Sequence, residues 1–197
     1  MKDILPVRVV GGGLAGSEAA YFLARNGISV LLVDMKPAKF TPAHSSGDFA
    51  ELVCSNSLKS NDFRANACGL LKEEMRILGS LTMEAAERAA VPAGAALAVD
   101  REKFAAYVTE KLRSHPLIEI SSEEVTSLPD EEDGGRYTII ATGPLTSDAL
   151  AADIAQKFGG GLHFYDASAP IVSAESIDTA FAFTGDRYGK GTGDYIN

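Results

Sequence analysis

The sequence predicts an α/β fold built on a parallel sheet that opens with a βαβ unit. Three observations carry this. First, Val7-Arg8-Val9-Val10 is an apolar, β-branched run, followed by Gly11 to Gly16 with the spacing G-x-G-x-x-G. Second, Ser17 to Arg25 places apolar residues at helical period, Asn26-Gly27 ends that helix, and Ile28 to Val33 forms a second apolar run ending at Asp34. Strand, turn, helix and strand are thus complete within about 30 residues, as a dinucleotide-binding unit requires. Third, Tyr137-Thr138-Ile139-Ile140-Ala141 suits a buried parallel strand returning to the first sheet.

Between these runs the chain leaves the sheet. Lys36 to Asn61, with Pro37, Pro42, Gly47 and clustered Ser and Asn, reads as a long loop. Helical patterning resumes at Asn66, where Leu71, Met75 and Leu78 share a face. Ser80 is placed to cap a further helix over Met83 to Ala90, which Val91-Pro92-Ala93-Gly94 breaks. Asp100 caps a helix with Phe104, Val108 and Leu112 on one stripe, stopped by His115-Pro116. Leu117–Ser121, Glu123–Leu128 and Arg136–Thr142 read as strands, the last two separated by the acidic turn Asp130 to Gly135. Thr146 to Phe158 reads as a helix, and Gly159-Gly160-Gly161 breaks it before Leu162-His163-Phe164-Tyr165.

A chain of 197 residues, 46% hydrophobic and 23% charged, is an ordinary globular composition, which excludes a disordered, collagen-like or disulfide-scaffold protein. No apolar run reaches the ~18 residues of a membrane span, and no export segment precedes Val7, so a cytoplasmic protein without membrane partners is expected. Cys54 and Cys68 then read as two free thiols. The net charge of −9 is uneven: residues 1–120 hold 14 Lys+Arg against 14 Asp+Glu, and residues 121–197 hold 4 against 13. That balance argues against a generally basic nucleic-acid binder but leaves a neutral face on the first 120 residues.

The glycine motif carries the chemistry. Gly11 allows the tight turn, Gly13 lets backbone approach a pyrophosphate, and Gly16 lets helix and strand pack closely, while the amides around Gly12, Leu14 and Ala15 face the phosphates at a helix N-terminus. Asp34, at the end of the second strand, is placed to accept hydrogen bonds from ribose hydroxyls. About 80 residues separate the second strand from the next convincing one, which favours FAD with an insertion over a simple nicotinamide site. Thr142 and Gly143 close a strand where backbone can approach the same dinucleotide. Cys54 lies between a short apolar run and a loop rich in hydroxyls and amides, and is either an inert thiol or a reactive one. Cys68 reads as a packing residue at a helix start, although a helix N-terminus can also activate a thiol, His115 reads as a helix-end residue, and His44 lacks metal-spaced partners, so no metal site is expected.

The strings Val9-Val10-Gly11-Gly12-Gly13-Leu14-Ala15-Gly16-Ser17-Glu18, Thr41-Pro42-Ala43-His44 and Phe49-Ala50-Glu51-Leu52-Val53-Cys54-Ser55-Asn56-Ser57-Leu58 closely resemble the TrmFO family. Gly69-Leu70-Leu71-Lys72-Glu73-Glu74-Met75-Arg76, Val91-Pro92-Ala93-Gly94, Ala96 to Arg101, Ala141-Thr142-Gly143-Pro144-Leu145-Thr146-Ser147 and Phe164-Tyr165-Asp166-Ala167 continue the resemblance in order. Asp34-Met35-Lys36-Pro37 stands where that family more often has Glu-Met-Arg-Pro, which places Lys36 with Asp34 among the cofactor residues. The family pattern runs on past Asp194-Tyr195-Ile196-Asn197 into a Cys-Pro-Met string, so the chain is expected to be an N-terminal fragment.

The resemblance implies methylation of carbon 5 of the T-loop uridine in tRNA. Methylenetetrahydrofolate would be the one-carbon donor, FAD the cofactor and NADH or NADPH the reductant. It makes Cys54 the catalytic residue, as nucleophile or as helper to the cysteine of the Cys-Pro-Met string. It also implies a Rossmann-like FAD-binding domain over 1–150, with an excursion from about 36 to 116, and the incomplete start of an inserted substrate or tRNA domain over 151–197. Lys59, Arg64, Lys72 and Arg76, close to Cys54 in sequence, are candidate tRNA contacts. The alternative for Lys72 and Arg76 is pairing with Glu73, Glu74 or solvent. Two other functions fit the same glycines: a generic FAD-dependent oxidoreductase, or a non-catalytic nucleotide-binding fragment.

Overall fold

The computed structural model describes residues 5–129, 136–159, 172–185 and 195–196. In chain order the elements are β1 (Val7–Val10), α1 (Leu14–Arg25), β2 (Val30–Asp34), β3 (Ser57–Ser60), α2 (Ala67–Ile77), α3 (Leu81–Arg88), β4 (Ala90–Val91) and β5 (Ala96–Val99). They continue with α4 (Arg101–Ser114), β6 (Ile118–Ser122), β7 (Thr138–Ile140), α5 (Asp148–Phe158), β8 (Thr184–Gly185) and β9 (Tyr195–Ile196). The described residues group into two compact units, one drawn from 1–51 and 105–166, the other from 52–104 and 167–197.

The first unit is a four-stranded parallel sheet in the order β6-β2-β1-β7. Its centre is β1 and β2, where Val9, Val30, Leu32 and Val33 are at most 1% exposed. β-branched and leucine side chains on both faces of a central parallel strand explain this, since each face is covered. α1 returns the chain from β1 to β2, burying Gly16, Ser17, Ala20 and Ala24, small residues that let the helix lie close to the strands. Val108 and Leu112 of α4 are fully buried as their spacing predicts, at roughly 1.5–3 kcal/mol each.

The second unit contains a three-stranded antiparallel sheet, β3-β5-β4, with α2 and α3. Both helix starts are capped by the residues their sequences mark. The Asn66 side chain accepts from the Cys68 amide, and Ser80 accepts from the Met83 amide. Asp100 accepts from the Lys103 amide at 3.1 Å at the start of α4. β8 and β9 form a short antiparallel pair.

Four expectations are corrected. The stretch from Lys36 to Asn61 is not loop throughout, because β3 occupies Ser57–Ser60 and pairs with β5. Glu123–Leu128 forms no strand. The helix expected over Met83 to Ala90 spans Leu81–Arg88, since Ala90 enters β4. β7 is parallel to β1 as anticipated but not fully buried: Tyr137, just before it, is 81% exposed and Ile139 37%. Among the described residues β7 lies at the sheet edge and pairs with β1 alone. The side chains of Leu71 on α2 and of Leu78 just past its end are exposed, and Gly69 and Lys72 are the buried positions of the helix. The acidic turn Asp130 to Gly135, Gly160-Gly161, Leu162 to Tyr165 and Phe164 to Ala167 lie outside the described residues. Among the described residues no helix is long and apolar enough to cross a membrane.

Candidate functional site

The glycine turn sits between the C-terminal end of β1 and the start of α1, where a parallel sheet presents ligand sites. Each glycine has a different reason to lack a side chain. Gly11 has φ +100°, and a Cβ there would lie 2.7 Å from the Ala141 carbonyl oxygen and 2.9 Å from Thr142 Cα. The backbone leaving β7 therefore crosses directly over Gly11. At Gly16 a Cβ would drive into the Gly11 carbonyl, so this glycine sets how closely α1 approaches the turn. At Gly12 it would meet the Phe49 ring and lie 2.9 Å from an Asp34 carboxylate oxygen.

Gly13 differs from all three. Its φ of −73° and ψ of −167° are open to any residue, and a Cβ there meets nothing within 4 Å. The protein itself gives no packing or conformational reason for glycine at this position, which is the N-cap of α1. Leu14, Ala15 and Gly16 are the first residues of that helix, whose leading amides have no intrahelical acceptor, and the first turn carries no acidic side chain. This is an anion cradle of the kind a pyrophosphate fills.

The turn is locked from outside. The Gly12 amide donates to Asp34 Oδ2, and the Gly12 carbonyl accepts from the Ala50 amide at 2.8 Å and the Ser17 hydroxyl at 3.1 Å. The other Asp34 oxygen accepts from the Lys36 amide at 2.8 Å. Asp34 is thus at the expected end of β2, where its two carboxylate oxygens organise the backbone at Gly12 and Lys36. Thr142 and Gly143 follow β7. The Thr142 hydroxyl pairs with Thr146 at 2.6 Å, and Gly143, at φ +62°, has open space where a Cβ would project.

Lys36, expected as a cofactor contact, is 6% exposed. Its ammonium donates to the Asp48 carbonyl and lies 3.6 Å from the Glu51 carboxylate. Burial raises the Glu51 carboxyl, but hydrogen bonds from the Ser45 amide and hydroxyl and the Ser46 amide, with the Lys36 charge, outweigh it and hold the group below the usual glutamate range. Burial, then the Lys36 charge, lowers the pKa of His44, with Glu51 and Asp34 opposing. The Thr41 hydroxyl lies 2.6 Å from His44 Nδ1. Phe49, Ala50, Glu51 and Ser17 were not legible as site residues from local pattern, since their roles come from contacts across the loop. The family strings that contain Ser17 and Phe49-Ala50-Glu51 are the signals that mark them.

Cys54 belongs to the second unit, half-buried in a loop tied to β5 and the start of α4. Asn56 exchanges hydrogen bonds with Val99, the amide of Val99 donating to the Asn56 carbonyl at 3.0 Å, and Arg101 donates to the Leu52 carbonyl at 3.3 Å. Neither Cys54 nor Cys68 is in a disulfide. Of the four candidate tRNA cations, Lys72 is buried, donating to the Ser60 and Cys68 carbonyls at 2.8 and 2.9 Å, and burial lowers its pKa. Arg76 binds Glu87, Glu73 and Asn61. Lys59 and Arg64 are exposed; Lys59 has φ +66° at an irregularity in β3, and the Arg64 guanidinium lies 5.4 Å over the Phe63 ring.

Residues 6–197 match the family described as Glucose inhibited division protein A. Proteins named Methylenetetrahydrofolate--tRNA-(uracil-5-)-methyltransferase TrmFO are similar over nearly the whole chain. The one from Anaeromyxobacter sp. (strain Fw109-5) is 60% identical over 97% of this chain and 42% of its own length. Those from Pelotomaculum thermopropionicum and Geobacter sulfurreducens are 59% and 56% identical, each over 97% of this chain and 43% of their own length. The chain therefore spans less than half the length of these relatives. Among solved structures, the Aquifex aeolicus GidA form II crystal superposes with a TM-score of 0.53 at 19% identity, covering 66% of this chain and 21% of that one.

Proposed function

The chain belongs to the Glucose inhibited division protein A family, and from that premise we propose that the protein carrying it is a folate- and FAD-dependent tRNA (uracil-5-)-methyltransferase. The observation that carries the cofactor half is Gly13, a glycine that the protein's own packing does not need, at the mouth of a turn locked by Asp34, Ala50 and Ser17. The names of relatives at 54–60% identity support the methyl-transfer half.

FAD fits the residues present: the amides from Gly13 to Gly16 would take the pyrophosphate, Asp34 a ribose hydroxyl, and the backbone at Gly11, Gly12, Thr142 and Gly143 the remaining close approach. When bound, FAD supplies the redox chemistry that makes a methyl group from the methylene carbon of methylenetetrahydrofolate, with NADH or NADPH as electron source. Carbon 5 of uracil becomes nucleophilic only when a thiolate adds at carbon 6, and Cys54 is the thiol of this chain assigned to that chemistry, as nucleophile or as helper to a second cysteine. Of the four candidate cations, Lys59 and Arg64 are the exposed ones and would meet tRNA phosphates.

The decisive experiment follows labelled methylene carbon from methylenetetrahydrofolate into tRNA. Wild-type protein should transfer it, and Cys54→Ala should lose transfer while retaining FAD. Full transfer by Cys54→Ala removes the thiol from the chemistry, and no transfer by flavin-loaded wild type overturns the assignment in favour of a generic flavin oxidoreductase.

A further inference from the structure

We infer that the Lys36–Glu51 pair, buried at Lys36 and partly exposed at Glu51, is a positioning element for the dinucleotide, holding the glycine turn in its ligand-ready shape without touching the ligand. This rests on the FAD reading of the turn. Lys36 and Glu51 lie 15 residues apart within the segment that joins β2 to β3, so their contact closes its first part into an arc. Glu51 is saturated by its own loop: one carboxylate oxygen accepts from the Ser45 amide at 2.9 Å and the Ser45 hydroxyl at 3.0 Å, and the Ser46 amide reaches both oxygens at 3.2 and 3.3 Å. The Lys36 ammonium adds a bond to the Asp48 carbonyl.

What lies between these anchors meets the turn. The Phe49 amide donates to the Thr109 hydroxyl at 2.8 Å and its ring packs on Gly12, while the Ala50 amide donates to the Gly12 carbonyl. Ala50 does this at φ +53°, a left-handed conformation disfavoured for alanine, which persists only where the surroundings over-determine it. The over-determination comes from the anchored residues on either side. Removing Glu51 leaves the buried Lys36 ammonium without its counter-charge, and removing Lys36 unties the Glu51 end of the arc from its start, so either change favours local rearrangement. Once the Ala50 contact is lost, the Gly12 carbonyl keeps only Ser17, and the turn samples other orientations. Apparent affinity falls by the fraction of molecules in which the turn stays competent, so a tenfold rise in Kd means about one molecule in ten retains it.

Lys36→Met, Glu51→Gln, the double variant and Lys36→Arg are titrated with FAD and with ADP at a temperature below every apo melting midpoint, with exchange protection of the 45–52 segment recorded alongside. Each charge-removing single variant should weaken both ligands by about tenfold or more, the double variant should be no weaker than the worse single, and Lys36→Arg should return to within about threefold of wild type. Protection over 45–52 should fall in step with affinity. Unchanged Kd in Lys36→Met or Glu51→Gln overturns the inference. So does loss in Lys36→Met with none in Glu51→Gln, which would make Lys36 a direct ligand contact, and so do fully additive losses. Gly13→Val is run in parallel: if it retains wild-type FAD affinity, the FAD reading fails and the positioning role falls with it.

Discussion

Replacing Gly13 by valine separates binding from folding more cleanly than any other change in the turn. The substituted residue keeps an allowed conformation, and its Cβ enters open space. Gly13 is the N-cap of α1, so valine costs up to about 1 kcal/mol of capping, offset by roughly 0.4–1 kcal/mol from a stiffer unfolded chain. The net effect on the ligand-free protein is within about 1 kcal/mol, or some 2–4 °C in melting temperature. The loss to the ligand is far larger. Branched methyl groups beside the amides of Gly13, Leu14 and Ala15 hold a phosphate away from at least two charge-assisted hydrogen bonds, each about 1.5–3 kcal/mol. FAD affinity should therefore fall by roughly 10²- to 10⁴-fold. Flavin fluorescence titration gives the affinity, and a thermal melt of the apo protein gives the stability. FAD bound within threefold of wild type would refute the reasoning, and so would an apo midpoint lowered by more than about 10 °C, which would make Gly13 a packing glycine.

Other consequences follow from neighbouring residues. Gly16→Ala should do the reverse, destabilising the apo protein by about 3 kcal/mol because the added methyl meets the Gly11 carbonyl, backbone that cannot step aside; an apo melt within 2–4 °C of wild type would contradict this. His44 has a depressed folded pKa, so the unfolded chain takes up its proton first as pH falls below about 6.5, and stability drops from there down to the folded value. His44→Gln should flatten that limb of a melting-temperature–pH profile, and parallel profiles would remove His44 from the acid response. Lys59→Glu with Arg64→Glu should weaken tRNA binding and reduce its salt slope by roughly 2, whereas Lys72→Met, whose ammonium already serves the Ser60 and Cys68 carbonyls, should lower stability and leave the slope unchanged.

Local signals suffice for much of this molecule. The glycine spacing, the apolar runs on either side and the Phe104-Val108-Leu112 stripe each report on a few consecutive turns of chain, and each forms as its pattern dictates. Caps are equally local, which is why Asn66 and Ser80 fall in place. The β3-β5-β4 sheet escapes because its strands are two to four residues of Ser, Ala, Leu, Lys and Val, too short to show a period and stabilised by pairing between distant segments. Glu123–Leu128 has strand-like composition but no partner strand among the described residues, and β propensity without pairing does not hold a strand. Ala50 is the sharpest case: a left-handed residue normally announces itself as glycine, and here an alanine adopts that conformation while bonding Gly12, between Phe49 tied to Thr109 and Glu51 tied to Lys36. The division of labour among the four cations, two of them absorbed by backbone and carboxylates, likewise depends on tertiary partners.

A crystal structure of the protein with FAD tests the central claim most directly. The pyrophosphate oxygens should accept hydrogen bonds from the amides of Gly13, Leu14 and Ala15, with a ribose hydroxyl on Asp34 and the Ala50–Gly12 contact intact. A dinucleotide bound away from the α1 N-terminus, or a turn that must rearrange to admit it, would contradict the account.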